Sequence, residues 1–144
     1  MNLLISPLQE GIVGVMPPAY EGDAGLDLIV CYPVTVPANS MANIPHGFAV
    51  ELPEGHFGFI MPRSSTIRNT GGNLVVMSSP IDCGYRGEIF TMVRNFGNEA
   101  ITINKGDRVS QMVILPYKAV TTISKTEQLA LSERSWKGFG STGK

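Results

Sequence analysis

Short segments rich in Val, Ile, Phe and Thr recur along the chain, and turns rich in Gly, Pro, Asn and Asp separate them. In residues 48–52 (Phe-Ala-Val-Glu-Leu) the first, third and fifth residues are apolar and share one face, as in a half-buried strand. Residues 53–55 (Pro-Glu-Gly) and 104–107 (Asn-Lys-Gly-Asp) contain the residue types that turns favour. The sequence therefore predicts an all-β fold, a jelly-roll-like sandwich or barrel.

The same pattern gives the approximate positions of the strands. The predicted strands are residues 26–30, 34–36, 48–52, 57–61, 74–77, 89–94, 100–103, 111–115 and 120–123. Helical pattern is weak by comparison. One short helix or turn is predicted at residues 64–70, with a serine as its N-cap, and a weaker candidate lies at residues 129–134.

Composition narrows the class of protein. The 144 residues suffice for one domain, and 43% hydrophobic against 16% charged residues argue against disorder. A net charge of −1 disfavours a protein that coats nucleic acid. No apolar run approaches the roughly 18 residues that would predict a membrane span. Cys31 and Cys83 have no metal-ligand spacing, which favours free thiols in the cytoplasm.

The C-terminal end has a different composition. Residues 138–144 (Gly-Phe-Gly-Ser-Thr-Gly-Lys) are too rich in glycine for a buried strand, so we expect a flexible tail that follows a domain of residues 1–137. Phe139 lies between two glycines, where no strand or helix pattern places it in a core. An aromatic ring in that setting could stack on a planar ligand.

Several polar side chains are suited to a phosphate ligand. Donors for phosphate oxygens are Arg63, Ser64, Arg108, Gln111, Arg134, Ser141 and Thr142. Asp27 and Asp82 could contact a hydrated magnesium ion or activate a water molecule. Each cluster also has a simpler interpretation: Asp82 as a turn residue, Tyr85 as a strand-edge aromatic, and Ser64 with Ser65 as a cap. Together the groups indicate a nucleoside triphosphate without naming its base.

The order of these clusters resembles the deoxyuridine triphosphatase (dUTPase) family, which carries five sequence motifs. The matching segments are residues 24–28 (Ala-Gly-Leu-Asp-Leu), 62–65 (Pro-Arg-Ser-Ser), 81–87 (Ile-Asp-Cys-Gly-Tyr-Arg-Gly), 106–111 (Gly-Asp-Arg-Val-Ser-Gln) and Arg134 followed by 138–143 (Gly-Phe-Gly-Ser-Thr-Gly). One motif alone is weak, whereas five in the family's order span most of the chain.

The resemblance implies roles for the matching residues. Asp82 would deprotonate the water that attacks the α-phosphorus of dUTP, giving dUMP and pyrophosphate, and Tyr85 would exclude a 2′-hydroxyl. Phe139 would cover the uracil, and Mg²⁺ would bridge the phosphates with Asp27 reached through water. Substrate binding would fall to Arg63, Ser64, Ser65, Gln111, Arg134, Gly140, Ser141 and Thr142. The family also implies a homotrimer with shared active sites. Hydrolysis of dUTP would limit uracil incorporation into DNA and supply dUMP for dTMP synthesis.

Three segments depart from the family pattern. Gly84 stands where an acidic residue is usual, residues 78–80 (Ser-Ser-Pro) precede the third motif in place of a glycine and an aliphatic residue, and Ser135 replaces a glycine. The first two departures concern the loop that would read uracil. The bulky residues Trp136 and Lys137 follow Ser135, the third departure.

Two alternatives remain open at this point. The first is a dCTP deaminase or a bifunctional relative. The dCTP deaminases share the fold and some of these departures, but they carry a catalytic glutamate on the following strand, where this chain has Met92. A thioether cannot accept a proton, so Met92 argues against a deaminase. A dUTPase-like regulatory binding module is the other alternative, although loss of Asp82 or of the tail would be expected for it, and both are present.

Overall fold

The computed structural model describes residues 1–132. Its twelve strands and one helix follow one another along the chain as β1 Leu4–Pro7, β2 Val15–Met16, β3 Gly25–Ile29, β4 Val34–Val36, β5 Met41–Pro45, β6 Phe48–Glu51, β7 His56–Pro62, α1 Ser64–Asn69, β8 Leu74–Met77, β9 Ser79–Ile81, β10 Phe90–Asn95, β11 Ile101–Ile103 and β12 Arg108–Pro116. The predicted all-β, jelly-roll-like fold is confirmed.

The strands form antiparallel sheets. The largest sheet has five strands in the order β2-β3-β12-β7-β9, and a three-stranded sheet has the order β5-β10-β8. The pairs β1-β6 and β11-β4 complete the arrangement. In the five-stranded sheet β12 lies between β3 and β7, so Gln111 stands opposite Asp27 on one side and Met61 on the other. Segments distant in sequence are thereby brought to one place.

The core is one cluster of buried apolar side chains, most of which lie on the strands. Phe48, Val50 and Leu52 are 0%, 2% and 3% exposed, as the alternation in the sequence predicts. The other members of this cluster are Leu28, Val30, Val36, Ile44, Ile60, Leu74, Val76, Ile89, Val93, Ile103, Val109 and Met112. Their burial from water provides the main favourable contribution to folding.

Some predictions about local structure are wrong. Residues 120–123 form no strand, and Val120 and Ile123 are 78% and 89% exposed. The run is apolar enough for a strand, but no strand among residues 1–132 pairs with it after β12 ends at Pro116. Residues 129–132 are not helical, and the rest of that candidate helix lies outside the described residues.

The short helix lies where it was expected, but its predicted cap is wrong. The N-cap residue of α1 is Arg63, in an extended conformation and without a side-chain cap. Instead, the Thr66 hydroxyl donates to the backbone oxygen of Val109 at 2.8 Å, which fastens the helix to β12.

Within residues 1–132 no helix is long and apolar enough to cross a membrane.

Candidate functional site

Asp27 on β3 is the centre of the first polar cluster. Its Oδ1 lies 3.0 Å from Arg63 Nε, and its Oδ2 lies 3.0 Å from Arg108 Nη1. Arg63 follows β7 and Arg108 begins β12, so the three-strand pairing places both guanidinium groups at one carboxylate. The two guanidinium groups share this one carboxylate, so N–H donors remain that could bind an anionic ligand.

Gln111 lies beside this cluster. Its Nε2 donates to the backbone oxygen of Pro62 at 3.2 Å, and its side chain lies across Gly25, where a Cβ atom would collide with it. Asp27, Arg63, Arg108 and Gln111 line an open cavity of about 510 Å³, here called the arginine cavity. Tyr20 and Asp23 also line it, and the sequence analysis did not select them.

The two serines of the second motif lie at the start of α1. Ser64 is exposed, and Ser65 lines a second cavity of about 320 Å³, which Arg63 and Arg108 also border. The arginines therefore line both cavities, and the two serines directly follow Arg63 in the chain. The structure brings together Asp27, Arg63 and Gln111, with Ser65 beside them.

Asp82 and Tyr85 belong to a different place, the turn that follows β9. The Tyr85 backbone N–H donates to the Asp82 carbonyl at 3.0 Å, which closes the turn. The Asp82 side chain is exposed and accepts no hydrogen bond from any residue between 1 and 132. An aspartate that only stabilised its turn would bond the nearby backbone. Its carboxylate oxygens are instead available to a water molecule or a ligand.

A small cavity of about 240 Å³ opens beside Asp82, and we call it the Tyr85 cavity. Its lining is mainly apolar and consists of Ser79, Pro80, Ile81, Asp82, Tyr85, Glu88, Phe90 and Met92. Sequence reasoning singled out Asp82, Tyr85 and Met92 from this set and missed Phe90 and Glu88, since neither carries a motif of its own. A small, mainly apolar cavity beside a carboxylate suits a planar ring whose attached group reacts at the carboxylate.

The Tyr85 cavity and the arginine cavity share no lining residue. Ile81, just before Asp82, pairs with Gly58 on β7, whereas Arg63 follows the far end of that strand. Five residues of strand correspond to roughly 17 Å.

The candidate residues Arg134, Phe139, Gly140, Ser141 and Thr142 lie outside the described residues, as does the division between residues 1–137 and 138–144.

A buried histidine connects strands of two sheets. His46 is fully buried; its Nδ1 lies 2.8 Å from the Ile29 carbonyl, and its Nε2 lies 2.8 Å from the Thr91 hydroxyl. Thr91 contacts the hydroxyl of Ser110, next to Gln111, at 2.6 Å. Because a carbonyl only accepts, Nδ1 carries the hydrogen and Nε2 accepts from Thr91. Burial holds the pKa of His46 below its ordinary value of 6.5, against the opposing effects of the Ile29 bond and the Glu88 charge.

This histidine predicts a loss of stability in acid. The folded state keeps His46 neutral while the unfolded chain takes up a proton near pH 6.5, so its contribution is complete above that pH and is lost as the pH falls toward the lower folded pKa. We expect the melting temperature to fall between about pH 7.5 and pH 5.5, by about 3 °C per kcal/mol lost. His46→Asn should flatten this dependence, whereas His56→Gln should leave it unchanged. Equal pH slopes in all three proteins would contradict the assignment.

Comparison with known proteins decides the family. The family model for dUTPase matches residues 13–143. The chain belongs to the dUTPase family. A deoxyuridine 5′-triphosphate nucleotidohydrolase of Rhizobium etli is 41% identical over 138 residues, covering 90% of this chain and 86% of that protein. One from Gloeobacter violaceus is 37% identical over 127 residues, covering 87% and 86%.

A solved structure of the family is similar to this chain in fold. The dUTPase of Staphylococcus bacteriophage 80alpha, in complex with dUPNHPP, superposes with a TM-score of 0.87 at 26% identity and covers 99% of this chain and 98% of its own. Phage dUTPases, of which that protein is one, control the transfer of virulence genes. The family assignment predicted from the five motifs is therefore confirmed.

Proposed function

We propose that this protein hydrolyses dUTP to dUMP and pyrophosphate, and so limits uracil incorporation into DNA and supplies dUMP for dTMP synthesis. The observation that carries the proposal is Asp82, an exposed carboxylate without a partner among residues 1–132, in the lining of a small, mainly apolar cavity that Tyr85 also lines. Membership of the dUTPase family and the names of the relatives support this substrate.

In the proposed mechanism Asp82 accepts a proton from a water molecule, which attacks the α-phosphorus. A carboxylate suits this step because it is ionised at neutral pH and accepts hydrogen bonds. The Tyr85 ring packs against the deoxyribose and leaves no space for a 2′-hydroxyl, and the backbone of β9 reads the uracil edge. Catalysis then consists of positioning the reactants and neutralising charge.

The phosphate groups would be held at the arginine cavity and by the C-terminal tail. Within the described part, Arg63, Ser64, Ser65 and Gln111 supply the donors, with Arg108 beside them. The tail would add Arg134, Gly140, Ser141 and Thr142, with Phe139 over the uracil. A triphosphate carries several negative charges, so a cluster with two guanidinium groups is electrostatically suited to it.

Magnesium fits this donor set as part of the substrate complex. Residues 1–132 contain no group of three His, Cys, Asp or Glu side chains that could hold an ion by themselves. Asp27 uses one position on each oxygen for an arginine, and a carboxylate has further lone pairs that can accept from a metal-bound water. When bound, Mg²⁺ would neutralise charge on the triphosphate, with Asp27 as its protein contact through water.

We further propose a homotrimer in which each active site is shared between chains. Asp82 follows Ile81, which pairs with Gly58, and Arg63 lies five residues, or roughly 17 Å of strand, farther along the chain, directly after β7. The cavities that contain Asp82 and Arg63 share no lining residue. A water poised at the α-phosphorus must lie within a few ångströms of the other phosphates. A neighbouring chain that brings its arginine cavity to the Tyr85 cavity would satisfy this requirement.

Substrate choice tests the proposed function. We expect pyrophosphate release from dUTP at least 100-fold faster in kcat/KM than from dTTP, dCTP or UTP, an estimate of about 3 kcal/mol of discrimination. No ammonia is expected from dCTP, since Met92 occupies the cavity where a deaminase needs a proton-accepting glutamate. Ammonia that persists with dCTP through purification, and is absent from an Asp82→Asn preparation made in parallel, would favour a deaminase instead.

A further inference from the structure

Tyr85 is held by the loop in which it lies. Its hydroxyl donates to the backbone oxygen of Glu88 at 2.9 Å, so the ring turns back over the loop. Gly87 lies directly beneath the ring, and a Cβ atom at that position would collide with it. The position of the Tyr85 ring therefore depends on the orientation of the Glu88 peptide group.

The Glu88 peptide is in turn fastened to the turn between β5 and β6. The Glu88 carboxylate accepts a hydrogen bond from the Gly47 backbone N–H at 2.9 Å. The next residue, Ile89, donates to Phe48 O at 2.8 Å and accepts from His46 N at 3.0 Å. Position 47 requires glycine, since its φ of +72° is one that residues with side chains rarely adopt and an added Cβ atom would lie 2.9 Å from an Ile12 methyl group.

These contacts form a continuous path from the core to the ring. We propose that Glu88 is a positioning residue that holds Tyr85 against the sugar, and so sets the discrimination between deoxyribo- and ribonucleotides; this rests on the proposed role of Tyr85. To exclude a single 2′-hydroxyl by steric contact, the Tyr85 ring must not move away from the sugar. A hydrogen bond between a carboxylate and a backbone amide is stronger than a neutral one, and it restrains the loop on the side facing the cavity.

The test compares variants at position 88 by their kcat/KM values for dUTP and UTP. Glu88→Ala removes the acceptor, and we expect the dUTP-to-UTP ratio to fall about tenfold. Glu88→Gln keeps an oxygen that can accept from Gly47 N but removes the charge, so its ratio should fall less than that of Glu88→Ala. Glu88→Asp keeps the charge but withdraws it by one methylene, and it should lose part of the ratio. Glu99→Ala removes an equal charge from an exposed turn and serves as the matched control.

The ratio is informative because a loss of folded enzyme lowers both kcat/KM values equally and leaves their ratio unchanged. Tyr85→Ala distinguishes the proposed role of Tyr85 in sugar discrimination from the proposed role of Glu88 in positioning Tyr85. If Tyr85→Ala keeps the wild-type ratio, the proposed role of Tyr85 fails and the role of Glu88 fails with it. If Tyr85→Ala loses the ratio while Glu88→Ala and Glu88→Asp keep it, the inference about Glu88 is wrong and the function of Tyr85 stands. Should Glu88→Ala fail to fold, the Glu88→Asp and Glu88→Gln pair decides in the same way.

Discussion

Replacing Asp82 by asparagine is expected to lower kcat for dUTP by about 10²–10⁴-fold, the usual contribution of a general base. The amide has nearly the same shape but cannot take up the proton of the attacking water. Because the Asp82 side chain is exposed and has no partner within residues 1–132, the melting temperature should change little, as for most surface substitutions. Single-turnover assays measure the rate, and calorimetry with a non-hydrolysable dUTP analogue measures binding, which should persist.

A matched control is Glu99→Gln, which converts another exposed carboxylate into an amide outside both cavities. It should keep wild-type kcat and affinity. If Asp82→Asn also turned over at a near-normal rate, Asp82 would not be the general base, which would have to be sought elsewhere in the Tyr85 cavity.

Two inactive variants are expected to restore activity to each other if the sites are shared. The variants are Asp82→Asn and a chain cut before Gly138, whose removed segment lies outside the described residues. When equal amounts are unfolded together and reassembled at random, about three quarters of the trimers are mixed, and each mixed trimer has one site in three with an intact Asp82 and an intact tail. Symmetry alone then predicts about a quarter of wild-type activity.

The reassembled mixture is compared with each variant reassembled alone, and light scattering measures the trimer content of all three samples. Activity of about a quarter in the mixture, with each variant inactive alone, supports a site built from two chains. Confirmed trimers without activity would mean that both segments act within one chain, and the shared-site proposal would be wrong while the proposed chemistry stands.

Much of the fold could be predicted because its signals are local. Alternation in residues 48–52 reflects which side chains face the core, and Phe48, Val50 and Leu52 are indeed buried. The segments that the sequence missed have weak local signals. β5 contains Asn43 and Pro45, and β9 contains Pro80; each becomes a strand because a neighbour pairs with it, β10 in one case and β7 in the other.

Residues 120–123 show the opposite case. Val, Thr, Thr and Ile favour a strand, yet the segment has no strand partner within residues 1–132 and stays exposed. A strand is stable only when its backbone groups are bonded to another strand and one of its faces is covered. Composition supplies the tendency, and the rest of the fold determines whether a partner is present.

The sequence by itself determined the family, the all-β class and the identity of the candidate catalytic groups, since these depend on residue types and their order. Only the tertiary structure decided that Asp27 is paired with both Arg63 and Arg108, that the Asp82 carboxylate has no partner among the described residues, and that Glu88 is bound to Gly47. The Arg108 and Asp27 partners lie 81 residues apart in the chain. Contacts between residues so far apart in the chain arise from strand pairing. The local sequence around one residue does not indicate which distant residue it will contact.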